Sequence, residues 1–249
     1  MGLVELAWLL VAGFAMGAIN NVAGAAGVLG LLGLELASGL SPALANGSLR
    51  LAAIGIGLGG WLGFHSKGIA IPRRAWLLAL CTVPGTLLGV ELALELPVSI
   101  YRTYLLVVMV AVLVQQLRNR SLAPATTRRS PWLAFLGLSI VGMHMGFVQI
   151  GTGLVAILAL TAFYSRNLVE VNTCKMALVL VSAVVSVGQF GANDAVVWGP
   201  ASALAVAAAL GSFLASRWSI AKGHAGVRIV VLVITVAVVV RTGWELVQG

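Results

Sequence analysis

Gly142-Met-His-Met-Gly-Phe-Val-Gln-Ile-Gly-Thr-Gly153 lies inside an apolar segment running from about Trp132 to Phe163, and it is poor material for a plain membrane span. Gly142, Gly146, Gly151 and Gly153 each cost about 1 kcal/mol of helix propensity relative to alanine. His144, Gln149 and Thr152 bring polar groups to membrane depth. Irregular backbone is tolerated there only where protein buries it or where it lines a cavity. A similar stretch, Gly17-Ala-Ile-Asn-Asn-Val-Ala-Gly-Ala-Ala-Gly27, sits near the front of the chain. Two broken, Gly-rich apolar segments in corresponding places of two halves point to the binding site of a transporter.

The surrounding composition agrees. The chain has 249 residues, 60% hydrophobic and 9% charged, with a mean hydropathy of +1.06. A soluble domain carries roughly 25% charged residues, so this is an integral membrane protein. Apolar stretches cover roughly 3–34, 43–65, 75–96, 98–117, 132–163, 168–190, 196–216 and 226–247, each near or above the 20 or so residues that span a bilayer. The first lacks a basic leader and is expected to be a retained span rather than a signal peptide. Cys81 and Cys174 fall in separate apolar stretches and read as free thiols without metal-ligand spacing. The net charge of +8 sits in short loops, where membrane orientation explains it better than nucleic acid does.

The fold class expected is all-α and polytopic. Two inverted-topology repeats each have a broken or hairpin first segment plus three transmembrane helices, about eight to ten helical segments in all. A shift of about 126 residues sets Asn46 on Asn172, Ser48 on Cys174, Gly85 on Gly211 and Arg102 on Arg228. The first repeat is residues 1–117, a basic linker is 118–131, and the second repeat is 132–249. If each long first segment enters the membrane twice, Lys67, Arg73 and Arg74, the linker arginines, Arg166, and Arg217, Lys222 and Arg228 share one face. Glu5, Glu35, Glu95 and Asp194 then fall on the other. Positive charge marks the cytoplasmic side, which puts the linker inside and both termini outside; Arg102 and Arg241 do not fit this scheme.

Two cations fall within spans. Arg50 is roughly 12 Å into its stretch and Lys175 roughly 10 Å into the matching one, so in inverted repeats they approach the midplane from opposite sides. An intramembrane cation is a functional-site candidate, weighed against snorkelling to the interface. Asn46 and Ser48 precede Arg50, while Asn172 and Thr173 precede Lys175. They supply neutral donors that a small oxyanion needs once it sheds water, or cap their helices. The breaks free backbone N–H groups at half-helix N-termini, which favour anions. With no carboxylate evident near either break, the substrate is expected to be anionic. Asn20, Asn21 and Gln149 line the site or satisfy loosened backbone, and His144 is a candidate proton carrier or an interhelical hydrogen bonder. Glu91 and Glu95 read as interfacial, and the tryptophans as an aromatic belt.

These residues resemble the TauE/SafE sulfite exporter family of anion permeases across essentially the whole chain. The likeness rests on the two Gly-rich segments, Val22-Ala-Gly-Ala-Ala-Gly27 and Gln149-Ile-Gly-Thr-Gly153. Each is followed about 20 residues later by a small polar cluster, Ala45-Asn-Gly-Ser48 and Val171-Asn-Thr-Cys-Lys175. The second cluster is similar to the family's Asn-x-Lys element. The family's runs of three glycines are interrupted here by Ala25, Ala26 and Thr152, and Leu49 stands where a lysine is common, with Arg50 one residue on. The resemblance implies a secondary transporter, and an exporter in particular, of sulfite or a related small sulfur anion across a bacterial inner membrane. The alternative is an anion channel or an uptake permease for organosulfonates or sulfate. The substrate-binding set is then Asn46, Ser48, Arg50, Gln149, Gly151, Thr152, Gly153, Asn172, Thr173, Lys175, Gly24, Gly27 and Asn21, with His144 for proton coupling. Against an enzyme, no His/Cys/Asp/Glu cluster has ligand spacing and no Ser/His pair has a known catalytic arrangement, while a purely structural subunit would leave Arg50 and Lys175 unexplained. The partners implied are the anion and the lipid bilayer, with no cofactor, no metal and no nucleic acid, and the chain is free to oligomerise.

Overall fold

The computed structural model describes residues 1–23, 26–118, 130–165 and 167–219, with 236 and 240 beyond them. Among these residues there are ten helices and no strand: α1 (Leu3–Ala23), α2 (Gly27–Ser38), α3 (Pro42–His65), α4 (Arg73–Leu80), α5 (Val83–Glu95), α6 (Val98–Arg118), α7 (Pro131–Phe147), α8 (Thr152–Phe163), α9 (Leu168–Ala192) and α10 (Trp198–Ser219). Four are individually long and apolar enough to cross a membrane: α1, α3, α9 and α10. The last apolar stretch, 226–247, apart from 236 and 240, the linker residues 119–129 and Arg166 lie outside the described residues.

Helix boundaries follow local chemistry. Ser41 caps α3 by accepting from the Leu44 N–H, with Pro42 at the first helical position. Asn167 caps α9 through the N–H groups of Val169 and Glu170. Gly39 ends α2 at φ 62°, left-handed backbone that favours glycine.

Both long first segments are hairpins. Gly30 of α2 lies against Met16 and Gly33 against Ala12, so α2 runs back along α1; Gly137 of α7 likewise meets Phe163 at the far end of α8. In the first, α1 ends at Ala23 and α2 begins at Gly27; in the second, the break falls at 148–151. Not every glycine in those stretches breaks a helix. Gly17, Gly142 and Gly146 stay helical and bring backbones together: Gly17 rests on the Ala208 carbonyl, Gly142 on that of Thr82 and Gly146 on that of Thr86.

The third apolar stretch, expected to be an ordinary span, is bent by 42° between α4 and α5. Pro84 explains it, since it lacks the N–H that a continuous helix would use. Hydroxyls take up the loosened carbonyls: Thr82 donates to Ala79 at 2.6 Å and Ser139 to Cys81 at 3.0 Å. Such satisfaction is obligatory at membrane depth.

The halves pack reciprocally. In the first, α1 lies along α10; in the second, α7 lies along α5. Gly211 rests on the Phe14 carbonyl and Gly85 on the Ser139 carbonyl, positions related by the same sequence shift. At the centre α3 crosses α9 antiparallel, with Gly47 against Phe190, Gly57 against Leu180 and Gly60 against Met176. Parallel to α3 runs α10, where Gly55, Gly59 and Gly63 meet the carbonyls of Ala205, Ala209 and Phe213. A Cβ at Gly59 would overlap the Ala209 carbonyl. Gly59→Ala is therefore expected to cost about 1–3 kcal/mol through overpacking, read as a lower unfolding midpoint in detergent, whereas Gly199→Ala, with open space around it, should leave the midpoint unchanged.

Candidate functional site

Both hairpin tips meet inside the bundle. The backbone of Gly27, at the start of α2, lies against the Gln149 carbonyl and Ile150 in the other break. Gly24 is outside the described residues. Around these tips sit the two intramembrane cations, and both are fully buried at 0% exposure. That excludes snorkelling.

Arg50 reaches the end of α7. Its Nη1 donates to the Met145 carbonyl and, at 2.8 Å, to Gln149 Oε1. Its Nη2 donates to the carbonyls of Gly146 at 2.9 Å and Phe147 at 3.1 Å, and to Asn46 Oδ1 at 2.9 Å. Asn46, one turn earlier on α3, also donates to the Phe147 carbonyl at 3.2 Å. The Phe190 ring underlies the guanidinium at 5.2 Å.

Lys175 does the same for α1. Its Nζ donates to the Asn21 carbonyl at 2.7 Å, the Asn20 carbonyl at 3.5 Å and Asn172 Oδ1 at 3.1 Å. Each cation thus comes from one half and closes the C-terminal end of the first hairpin arm of the other. The last carbonyls of a helix carry about half a negative charge between them, so a cation there is stabilised.

The two cations lie on opposite sides of the bundle's centre and do not meet. From the Gly57–Leu180 crossing, Arg50 lies toward one end of the bundle and Lys175 toward the other, with their Cα atoms about 18 Å apart along the axes at 1.5 Å per residue. Antiparallel crossing makes the separation the sum of both offsets, and each side chain is held at its own hairpin end.

The remaining candidates divide by what their polar atoms meet. The Asn21 amide donates to Ser212 Oγ at 3.0 Å and to Ser216 Oγ at 2.6 Å, tying the end of α1 to α10. Ser48 Oγ accepts from the Val197 N–H at 2.9 Å and so anchors the entry to α10, while the Thr173 hydroxyl donates to the Val169 carbonyl within its own helix at 2.8 Å. Gly151 precedes α8 with φ 73°, a conformation glycine adopts without strain. Gly153 is buried in the first turn of that helix. The Thr152 hydroxyl, in a residue 1% exposed, has no hydrogen-bond partner among the described residues, and neither has Arg50 Nε.

His144 bridges three elements. Its Nε2 faces the Ile150 carbonyl at 3.0 Å and its Nδ1 faces Tyr104 Oη of α6 at 2.8 Å. A carbonyl only accepts, so Nε2 carries the hydrogen, and in the neutral ring Tyr104 donates to Nδ1.

Tyr104, Tyr101, Phe190, Ser212 and Ser216 were not legible as site residues. The i, i+4 serines on an otherwise apolar helix were the one signal available. Tyr101 is 7% exposed. It packs edge-on to Phe147 at 6.0 Å between ring centroids.

The model of the family "Sulfite exporter TauE/SafE" matches residues 9–242. The chain is similar to a probable membrane transporter protein of Haemophilus influenzae, at 25% identity over 98% of each chain. It is also similar to a probable membrane transporter protein of a Sinorhizobium species, at 24% identity over 95% of this chain and 91% of the relative. No solved structure matches it. With hairpin-interrupted apolar helices, buried cations at the interruptions and a family model matching nearly end to end, this multi-pass chain belongs to the TauE/SafE sulfite exporter family of membrane transporters.

Proposed function

We propose that this transporter exports sulfite, or a related small sulfur-containing anion, across the bacterial inner membrane by alternating access. The anion is held at the helix breaks between two inverted repeats, residues 1–117 and 132–249. The linker 118–131 lies in the cytoplasm and both termini lie outside. The basic residues Lys67, Arg73, Arg74 and Arg217 at one end of the bundle support that sidedness, with Glu5, Glu95 and Asp194 at the other. Antiparallel crossing of the corresponding helices α3 and α9 supports the inversion.

One observation carries the reading of substrate charge. The hydrogen-bond acceptors around Arg50 and Lys175 are carbonyl and amide oxygens. A helix end offers about half a unit of negative charge against each full positive one, so the breaks keep a positive surplus. The start of α8 adds free N–H groups to that surplus, and the unpartnered Thr152 hydroxyl and Arg50 Nε add two further donors. An oxyanion matches this set, and a cation would meet like charge.

We assign the coupling proton to His144. Its neutral ring takes up a proton at Nδ1 if the Tyr104 hydroxyl rotates from donor to acceptor, and its contact with the Ile150 carbonyl, beside Gly151, is kept.

Flux measurements on purified protein in proteoliposomes test the proposal. Sulfite flux is expected to saturate with concentration, to show counterflow and to be competed by thiosulfate or small sulfonates. In His144→Gln a pH gradient should no longer drive flux while sulfite exchange persists. Sulfur-anion flux no greater than that of empty liposomes would remove the substrate assignment, and unsaturable flux without counterflow would favour a channel.

A further inference from the structure

Polar residues continue along α9 beyond Lys175. Lys175, Ser182, Ser186 and Gln189 are seven, four and three residues apart, which at 3.6 residues per turn keeps them within about 60° of one another over about 21 Å of helix. Ser182 is shared by two hydroxyls, at 3.0 Å from Thr82, which precedes α5, and 3.3 Å from Thr86 of α5, and all three residues are buried. One turn further on, the Ser186 hydroxyl is fully buried, at 0% exposure, and has no hydrogen-bond partner among the described residues; Gln189 Oε1 is likewise buried and unpartnered. The next residue, Phe190, underlies Arg50. The stripe therefore starts at one cation and ends beside the other.

A serine within a helix can usually satisfy itself on the carbonyl four residues back, as Thr173 and Thr86 do here. Ser186 does not. Two unpartnered polar atoms on one face at membrane depth call for water or a solute beside them. The matching seam in the other half is built differently. The sequence shift sets Ser182, Ser186 and Gln189 on Ile56, Gly60 and Gly63 of α3, where glycine backbones press against α10.

We propose that the seam between α5 and α9, lined by Thr82, Thr86, Ser182, Ser186 and Gln189, is the hydrated route by which the anion passes between Lys175 and Arg50. Hydroxyls suit such a segment. The Ser186 hydroxyl is free to donate to an oxyanion without a full charge, while Thr82 and Thr86 already donate to carbonyls, so the solute is solvated but not trapped between the two cationic ends. The identity of the solute rests on the anion reading above; the existence of the wet seam does not.

The test is thiol accessibility in proteoliposomes, with Cys81 and Cys174 replaced by serine and a water-soluble, membrane-impermeant anionic thiol reagent. Ser186→Cys and Gln189→Cys are expected to react faster than Val184→Cys, which is 54% exposed on the outer surface of the bundle, by about tenfold or more, because thiolate formation requires water. Reaction of both cysteines no faster than that of Val184→Cys would overturn the proposal. In the native background, Ser186→Leu should reduce anion flux by about tenfold or more, as a plug in a narrow polar passage does. Undiminished flux in a correctly inserted Ser186→Leu protein would also overturn it. Fast labelling in a protein that moves no sulfur anion would keep the route and remove only the solute.

Discussion

Arg50→Leu is expected to cost about 3–5 kcal/mol of stability, the range for breaking a buried charged network from one side, and to abolish transport. The guanidinium supplies donors to three successive carbonyls at the end of α7, to Gln149 and to Asn46. A leucine leaves those buried carbonyls without their donors at membrane depth, where each unsatisfied polar group is costly. Lysine should not rescue the site. Its ammonium has three donors on a single point, and the acceptors here are spread around a planar fork. Unfolding in mixed detergent micelles reads the stability, and sulfite flux reads the function. An Arg50→Lys protein with wild-type stability and flux would show that charge alone is needed there, against the geometric argument.

Lys175→Met is expected to separate the two readouts. The ammonium bonds two carbonyls of α1 and Asn172, a smaller network than that of Arg50, so insertion and folding should survive. Flux should fall about 100-fold, equivalent to about 2.7 kcal/mol of lost attraction for the anion. Asn172→Ala retains the charge but not its tether and should fall in between. Near-normal flux in Lys175→Met, with the protein correctly inserted, would remove this residue from the transport mechanism.

Much of the fold was legible because it depends on additive, local properties. Runs of apolar residues near bilayer length, with charges confined to the gaps, report the helices directly, and Asn167, Ser41 and Gly39 mark their ends. Glycine was harder to read, since the residue serves two ends. At Gly151 it permits a left-handed backbone, while at Gly142, Gly146 and Gly17 it removes a side chain so that two helices touch. Nothing in the local sequence separates these uses. Pro84 did carry a readable signal for the bend in the third stretch, and the apolar run around it concealed that signal.

Of the candidate site, the cations, their asparagine neighbours and the positions of both breaks were determined by the sequence by itself. A charge within an apolar run must find a partner or a function, whatever the fold. Which partner it finds was decided only by the tertiary structure. Antiparallel crossing at Gly57 and Leu180 delivers Arg50 to α7 and Lys175 to α1 and keeps the two apart. It also sets Phe190 under the guanidinium and leaves Ser186 without a partner among the described residues. Hydrophobicity is a sum over neighbours in sequence and can be read from the chain, whereas an orphan carbonyl accepts whichever donor the packing of distant helices brings within 3 Å or so.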